Sequence, residues 1–184
     1  MPPVTTTSVK SGRRARDGGL ARSFAAFFGA LRTAGAAAGS DQRFAVSVKT
    51  PLEALDQVRS IPPALESAVI ERGLSASVAW RPLESLGLTG AELARVVGIS
   101  QRTMERKEAK SESLPVAEAD RTMRLMRIAS EAADALGDVE RALAWLRSPS
   151  RFLGGKTPLK TIETEAGVAL VRQSLGAIAY GGVG

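Results

Sequence analysis

Apolar residues in this chain recur three and four positions apart, the spacing that gathers them into one buried stripe on a helix. From Thr50 onward the starts and stops of such helices are marked. Thr50-Pro51-Leu52-Glu53 has the form of a capping box with proline at the first helical position, followed by Leu55 and Val58 on one side. Pro62 and Pro63 break that helix, and a second, Ala64 to Arg72, presents Leu65, Ala68 and Val69 before Gly73 stops it. A third runs from Ser75 or Ser77 to Leu86, burying Val78 and Leu83 with Trp80 as a further candidate. After the turn at SESLP, a longer helix from Val116 to Leu136 carries Ala119, Met123, Met126, Ala129, Ala133 and Leu136 in one stripe. Methionines on such a stripe read as core or dimer contact rather than a cofactor box. Asp138 caps Val139 to Arg147, with Ala142, Leu143, Trp145 and Leu146 apolar. Thr157-Pro158 starts a short helix through Ile162, and Thr164 caps a last one, Glu165 to about Ile178, with Val168, Val171, Leu175 and Ile178 inward.

The run from Leu88 to Glu108 organises the rest. Thr89 caps a first short helix with Leu93, Ala94, Val96 and Val97 on its stripe; Gly98 ends it, and Ser100 caps a second. The two must meet at an angle, with Ala94 leaving room for the crossing and Ile99 and Met104 filling the wedge, as a helix-turn-helix requires. Gln101, Arg102, Glu105 and Arg106 then point outward from the second helix, with Lys107 at the boundary. Gln and Arg suit adenine and guanine edges in the major groove, while Ser100, Thr103 and Lys107 suit phosphate oxygens. The plainer alternative is an αα-hairpin with a solvated polar face. Glu105 speaks partly for it, because a carboxylate weakens attraction to phosphate.

Composition narrows the chemistry. The chain has 184 residues, no Cys and no His, which removes disulfides, thiolate nucleophiles, zinc-thiolate sites and the commonest general base. Its aromatic content of 4% leaves Leu, Val, Ile and Ala to build the core. The net charge of +6 is concentrated in residues 1–45, where seven Lys or Arg face Asp17 and Asp41. Rich in Ala, Gly, Ser, Thr and Arg, this stretch reads as a mostly disordered tail that adds non-specific attraction for DNA. The exception is Leu20 to Leu31, which would be amphipathic if helical, with Phe24, Phe27 and Phe28 between Arg22 and Arg32. A transit peptide and a membrane-surface helix are the alternatives there. No apolar run approaches the roughly 18 residues that span a bilayer, so a soluble, cytoplasmic protein is expected. GGKT at Gly154 to Thr157 is not a phosphate loop, since Ser150 stands where that motif needs glycine and no strand precedes it.

Taken together, Gly73-Leu74, Gly98 to Lys107, Leu114 with Asp120-Arg121 and Arg124, and Trp145-Leu146 with Pro149 resemble the Xre/MbcA/ParS antitoxins of bacterial type II toxin–antitoxin pairs. Leu153-Gly154-Gly155 with Thr157-Pro158-Leu159, Thr164-Glu165 with Gly167, and Tyr180-Gly181 continue the resemblance in register over the last two thirds of the chain. It departs at Ser150, where asparagine is usual, at Ala119, where serine is usual, and in the extra first 45 residues. The resemblance implies a partner toxin of the RES type, which consumes NAD, and binding of the operon's own promoter as a homodimer or larger toxin–antitoxin complex.

The expected architecture is all-α: a basic tail (1–45), a helical domain with the helix-turn-helix at 88–108 (46–120), and a small toxin-binding domain (121–184). Ser100, Gln101, Arg102, Thr103, Arg106 and Lys107 are the expected DNA contacts. By resemblance, Trp145, Leu153, Gly154, Gly155, Thr157, Pro158, Glu165, Tyr180, Gly181, Gly182, Val183 and Gly184 contact the toxin, the tail covering its active-site entrance. No catalytic residue, metal or cofactor is expected. The rival readings are a plain helix-turn-helix regulator whose C-terminal part dimerises or senses a ligand, and an enzyme, which would have to work without His or Cys.

Overall fold

The computed structural model describes residues 9–37 and 48–180. Among these residues the fold is all-helical: α1 (Val9–Ala37), α2 (Pro51–Arg59), α3 (Pro63–Arg72), α4 (Ala76–Leu86), α5 (Gly90–Val97), α6 (Gln101–Ala109), α7 (Val116–Leu136), α8 (Val139–Arg147), α9 (Pro158–Thr161) and α10 (Glu165–Ala179). A 3-10 turn, Arg151–Leu153, lies between α8 and α9.

The capping signals act where the sequence puts them. Thr50, Thr89, Ser100, Asp138, Thr157 and Thr164 each accept a backbone N–H of the first turn of the helix they precede. Each satisfies a donor the helix itself leaves orphaned.

α7 is the shared core. Met123, Leu125, Met126, Ile128, Ala129, Ala132 and Ala133 are all buried, so the helix is apolar on most of its circumference and must be enclosed. α2, α3, α4 and α5 pack on it from one half of the chain, α8 and α10 from the other. The division expected at residue 120 therefore falls inside a continuous helix that both halves use. Two buried polar contacts fix its register. Trp80 Nε1 donates to Thr122 Oγ1 at 3.1 Å, and Ser130 Oγ donates to the Leu55 carbonyl at 2.6 Å. Met123 and Met126 are fully buried here, as core.

In the N-terminal segment the stretch excepted from the expected tail, Leu20 to Leu31, is helical and buried on one face. Residues 1–8 and 38–47 lie outside those described, but 9–37 form α1, which packs against α3 and α4. Leu20, Phe24, Phe27, Phe28 and Leu31 are buried there, and Ser23 and Ser85 hydroxyls meet at 3.0 Å. The burial has a physical reason. Average composition predicts too little burial, but these five apolar residues fall on one helical face, and each fully buried Phe or Leu contributes about 1.5–3 kcal/mol. None of the described helices is long and apolar enough to cross a membrane.

Candidate nucleic-acid interface and partner-docking module

α5 and α6 form the helix-turn-helix. Thr89 and Glu92 complete a reciprocal capping box: the Glu92 N–H donates to Thr89 Oγ1 at 3.2 Å, and the Thr89 N–H donates to Glu92 Oε2 at 2.8 Å. At the other end Gly98 adopts φ +81°, and both its N–H and that of Ile99 reach the Ala94 carbonyl at 2.9 Å. Only glycine fits this turn comfortably. The backbone is left-handed, and a Cβ there would lie 2.5 Å from Arg121 Nη1, which itself donates to the Val97 carbonyl at 2.8 Å. Arg121, from α7, thus finishes the first helix and locks the turn. Buried Leu93, Val97 and Met104 fill the wedge, with Ile99 packed at its edge.

The expected DNA contacts separate into three groups. Ser100 is the cap of α6, its Oγ accepting the Thr103 N–H at 3.1 Å, and both residues sit at the helix start. Gln101, Arg102 and Arg106 are exposed. Gln101 donates to Glu105 at 3.0 Å and Arg106 pairs with Glu112 at 2.6 Å, whereas Arg102 has no ion pair among the described residues. Lys107 is a correction. It is only 8% exposed, and its ammonium donates to both Glu118 oxygens at 2.8 and 2.9 Å. Lying three residues after Met104, it falls on the inward flank of α6, where the acid from α7 meets it. It is a structural ion pair.

α8, the 3-10 turn, α9 and α10 build the C-terminal module. Leu153 and Pro158 are buried and Trp145 is half-buried, so these expected contacts frame the module. Gly154 and Gly155, both left-handed at φ +64° and +79°, make the exposed turn between them, and Thr157 caps α9. Gly167 is where α10 touches α9. A Cβ on it would sit 1.7 Å from the Thr161 carbonyl oxygen. Glu165 pairs with Arg124 at 2.9 Å, tying the start of α10 to α7. Tyr180 ends α10 at 94% exposure. Gly181, Gly182, Val183 and Gly184 lie outside the described residues.

Sequence reasoning missed two exposed apolar side chains of this module, Phe152 (51%) and Leu170 (46%). The signal was present for one. Leu170 sits next to inward Val171, off the buried stripe. It also missed the bond between the halves. Arg147 of α8 donates to Glu92 at 2.6 and 2.9 Å and to the Gly87 carbonyl at 2.8 Å. These donors, helped by the Thr89 bonds and opposed by partial burial, lower the Glu92 carboxyl to about 2. Arg147 is raised in turn by Glu92. Among the described residues no cluster of three or more Asp or Glu is placed to hold a metal ion.

Two family models match the chain: an antitoxin Xre-like helix-turn-helix domain over residues 66–127, and an antitoxin Xre/MbcA/ParS C-terminal toxin-binding domain over residues 131–181. Curated relatives carry matching names. An "Antitoxin Xre" of Yersinia enterocolitica is 30% identical over 92 residues, covering 50% of this chain and 62% of that protein. One of Photorhabdus laumondii is 27% identical over 116 residues, 62% of this chain and 78% of that one. A "Prs ADP-ribosylating antitoxin" of a Sphingobium species is 24% identical over 141 residues, 72% of this chain and 89% of that one. The match to the Yersinia protein thus spans less than two thirds of its length.

Proposed function

We propose that this chain, which belongs to the Xre/MbcA/ParS antitoxin family, neutralises an NAD-consuming toxin of the RES type through its C-terminal module and represses its own promoter through α5 and α6. The observation that carries the reading is the pairing, on one shared core helix, of a capped helix-turn-helix with a module that ends in outward apolar side chains. Leu170 on α10 and Tyr180 at its end lie where a partner can bury them, and the last four residues of the chain follow directly. A glycine-rich segment can enter a pocket closely, and it needs no side-chain chemistry to block one. The relative named for ADP-ribosylation is compatible with a partner that consumes NAD, since NAD is the usual donor of ADP-ribose.

On the DNA side Arg102 is the side chain most available to a base edge, with Gln101 and Arg106 joining once they leave their intrahelical and cross-loop partners. Binding as a two-fold dimer would place half-sites about one DNA turn apart. Both activities belong in the cytoplasm.

The test is co-expression with the product of the adjacent gene, following growth and cellular NAD, with and without residues 178–184. Rescue of both by the full chain, abolished by trimming, is the expected result. A neighbouring product that is harmless when expressed alone would point to a plain transcriptional regulator.

A further inference from the structure

The helix-turn-helix half carries no excess of positive charge. Residues 46–120 contain nine Lys or Arg against eleven Asp or Glu, a net of −2. Three of the cations in and beside α6 are engaged by acids, Arg81 with Glu108, Arg106 with Glu112 and Lys107 with Glu118. Arg95, Arg102 and Lys110 are exposed and have no ion pair among the described residues. Non-specific affinity for a duplex comes from cations that displace phosphate counterions, so free cations held beside α5 would add to what these three supply.

Residues 141–162 form the complementary stretch. They hold five Lys or Arg (Arg141, Arg147, Arg151, Lys156 and Lys160) and no Asp or Glu. Outside this run and the first 45 residues the chain has thirteen basic against seventeen acidic residues, so the positive charge of residues 46–184 is concentrated here. Arg151, Lys156 and Lys160 are exposed and have no ion pair among the described residues.

Geometry brings this run to the helix-turn-helix. α9 packs against both α5 and α8. Arg147 holds the end of α8 to the N-terminal end of α5 through Glu92 and the Gly87 carbonyl, and so covers the one carboxylate of that end. In a docked helix-turn-helix the first helix crosses the phosphate backbone. The loop that follows α8 is closed at its base: the Ser150 N–H donates to the Lys156 carbonyl at 3.1 Å and the Gly155 N–H to the Ser150 carbonyl at 2.9 Å, with Leu153 buried beneath. Arg151 and Lys156 are therefore presented from a fixed turn, at a smaller entropic cost than cations on a loose tail.

We propose that Arg151, Lys156 and Lys160 form a phosphate clamp that extends the DNA interface from α5 onto the C-terminal module. This rests on the reading of α5 and α6 as a DNA reader and adds to its sequence-independent part. The clamp fixes register on the backbone and leaves base choice to α6.

The experiment is binding of the full chain to a fragment of its own promoter across a salt series, compared with Arg151→Gln, Lys156→Gln and Lys160→Gln combined and with Arg102→Ala. Every phosphate that a variant no longer neutralises should reduce the slope of log K against log salt by about 0.9, so the triple variant should show a slope smaller by about 2 to 3. Its affinity for promoter and for scrambled DNA should fall by the same factor, while Arg102→Ala should discriminate less between them and leave the slope within about 1 of the parent. Unchanged circular dichroism and melting temperature show that the triple variant is folded, and single Gln variants serve if it is not. Binding by the parent chain with an unchanged slope in the variant overturns the clamp alone. No DNA binding by the parent overturns the clamp together with the reading of α5 and α6. An unchanged slope accompanied by weakened toxin binding would make the run a toxin surface, which also overturns the clamp.

Discussion

The two halves that share α7 use their polar and apolar residues differently. In the helix-turn-helix, side chains that look outward in sequence are largely engaged: Gln101 with Glu105, Arg106 with Glu112, Lys107 with Glu118, Glu92 with Thr89 and Arg147. In the C-terminal module Arg151, Lys156 and Lys160 form no ion pair among the described residues, and large apolar side chains, Phe152, Leu170 and Tyr180, face solvent. The contrast is one of degree: the first half pairs most of its outward groups but leaves Arg95, Arg102 and Lys110 without an ion pair among the described residues and Leu52 and Val116 exposed, while the second gathers its free groups around one loop and one helix. An ion pair must be broken before its members can bind DNA, so exposure by itself does not make a contact.

The largest effect on this contrast should come from Gly167→Ala. Its Cβ would collide with the Thr161 backbone, so α9 and α10 must separate. Overpacking of this kind costs about 1–3 kcal/mol, and the upper end is expected because the obstacle is backbone. Thermal unfolding should show the destabilisation and hydrogen exchange should place it in α9 and α10, with toxin binding weakened more than DNA binding. Full protection of both helices would mean that this close approach is dispensable.

Lys107→Ala comes next. It leaves Glu118 partly buried without its partner, which should cost about 1–3 kcal/mol of stability. If instead it lowered the salt dependence of DNA binding with no change in melting, Lys107 would be a phosphate contact after all. Arg102→Ala reverses that pattern: about 1–3 kcal/mol of operator affinity for a good bidentate base contact, with stability unchanged. Arg106→Ala should cost less affinity, because Arg106 must first give up Glu112.

The smallest effect is a pH dependence at the bond between the halves. Glu92 is lowered to about 2 from an ordinary 4.5. Its contribution is fully present above about pH 4.5 and is lost as pH falls toward 2, because the unfolded chain takes up the proton first. Since the pair is partly solvated, the contribution is on the order of 1–2 kcal/mol. Chemical denaturation from pH 5 to 2 should show a shallower acid loss in Arg147→Met. An identical slope in parent and variant would remove this pair from the acid response.

Much of this is legible in the sequence because it is local. Caps at Thr89 and Ser100, the stop at Gly98 and the stripe of α7 depend on residues within a few positions of each other. Arg147 and Glu92 are 55 positions apart, and their pairing follows from how α8 returns to α5. Lys107 is ambiguous for a related reason: its place on the boundary of α6 is readable, but the acid that draws it inward comes from the next helix. α1 is undervalued by composition, which averages over a segment, whereas burial depends on the few residues that share a face. The separation of DNA and partner surfaces is the part that neither spacing nor composition carries.

That separation is tested most directly by a crossed experiment on two variants, Arg102→Ala and a chain ending at Ala177, each assayed for promoter binding and for capture and block of the toxin. The account predicts that Arg102→Ala weakens DNA binding and still blocks the toxin, and that the shortened chain does the reverse. Abolished toxin binding in Arg102→Ala, or a fully blocked toxin with the shortened chain, would contradict it.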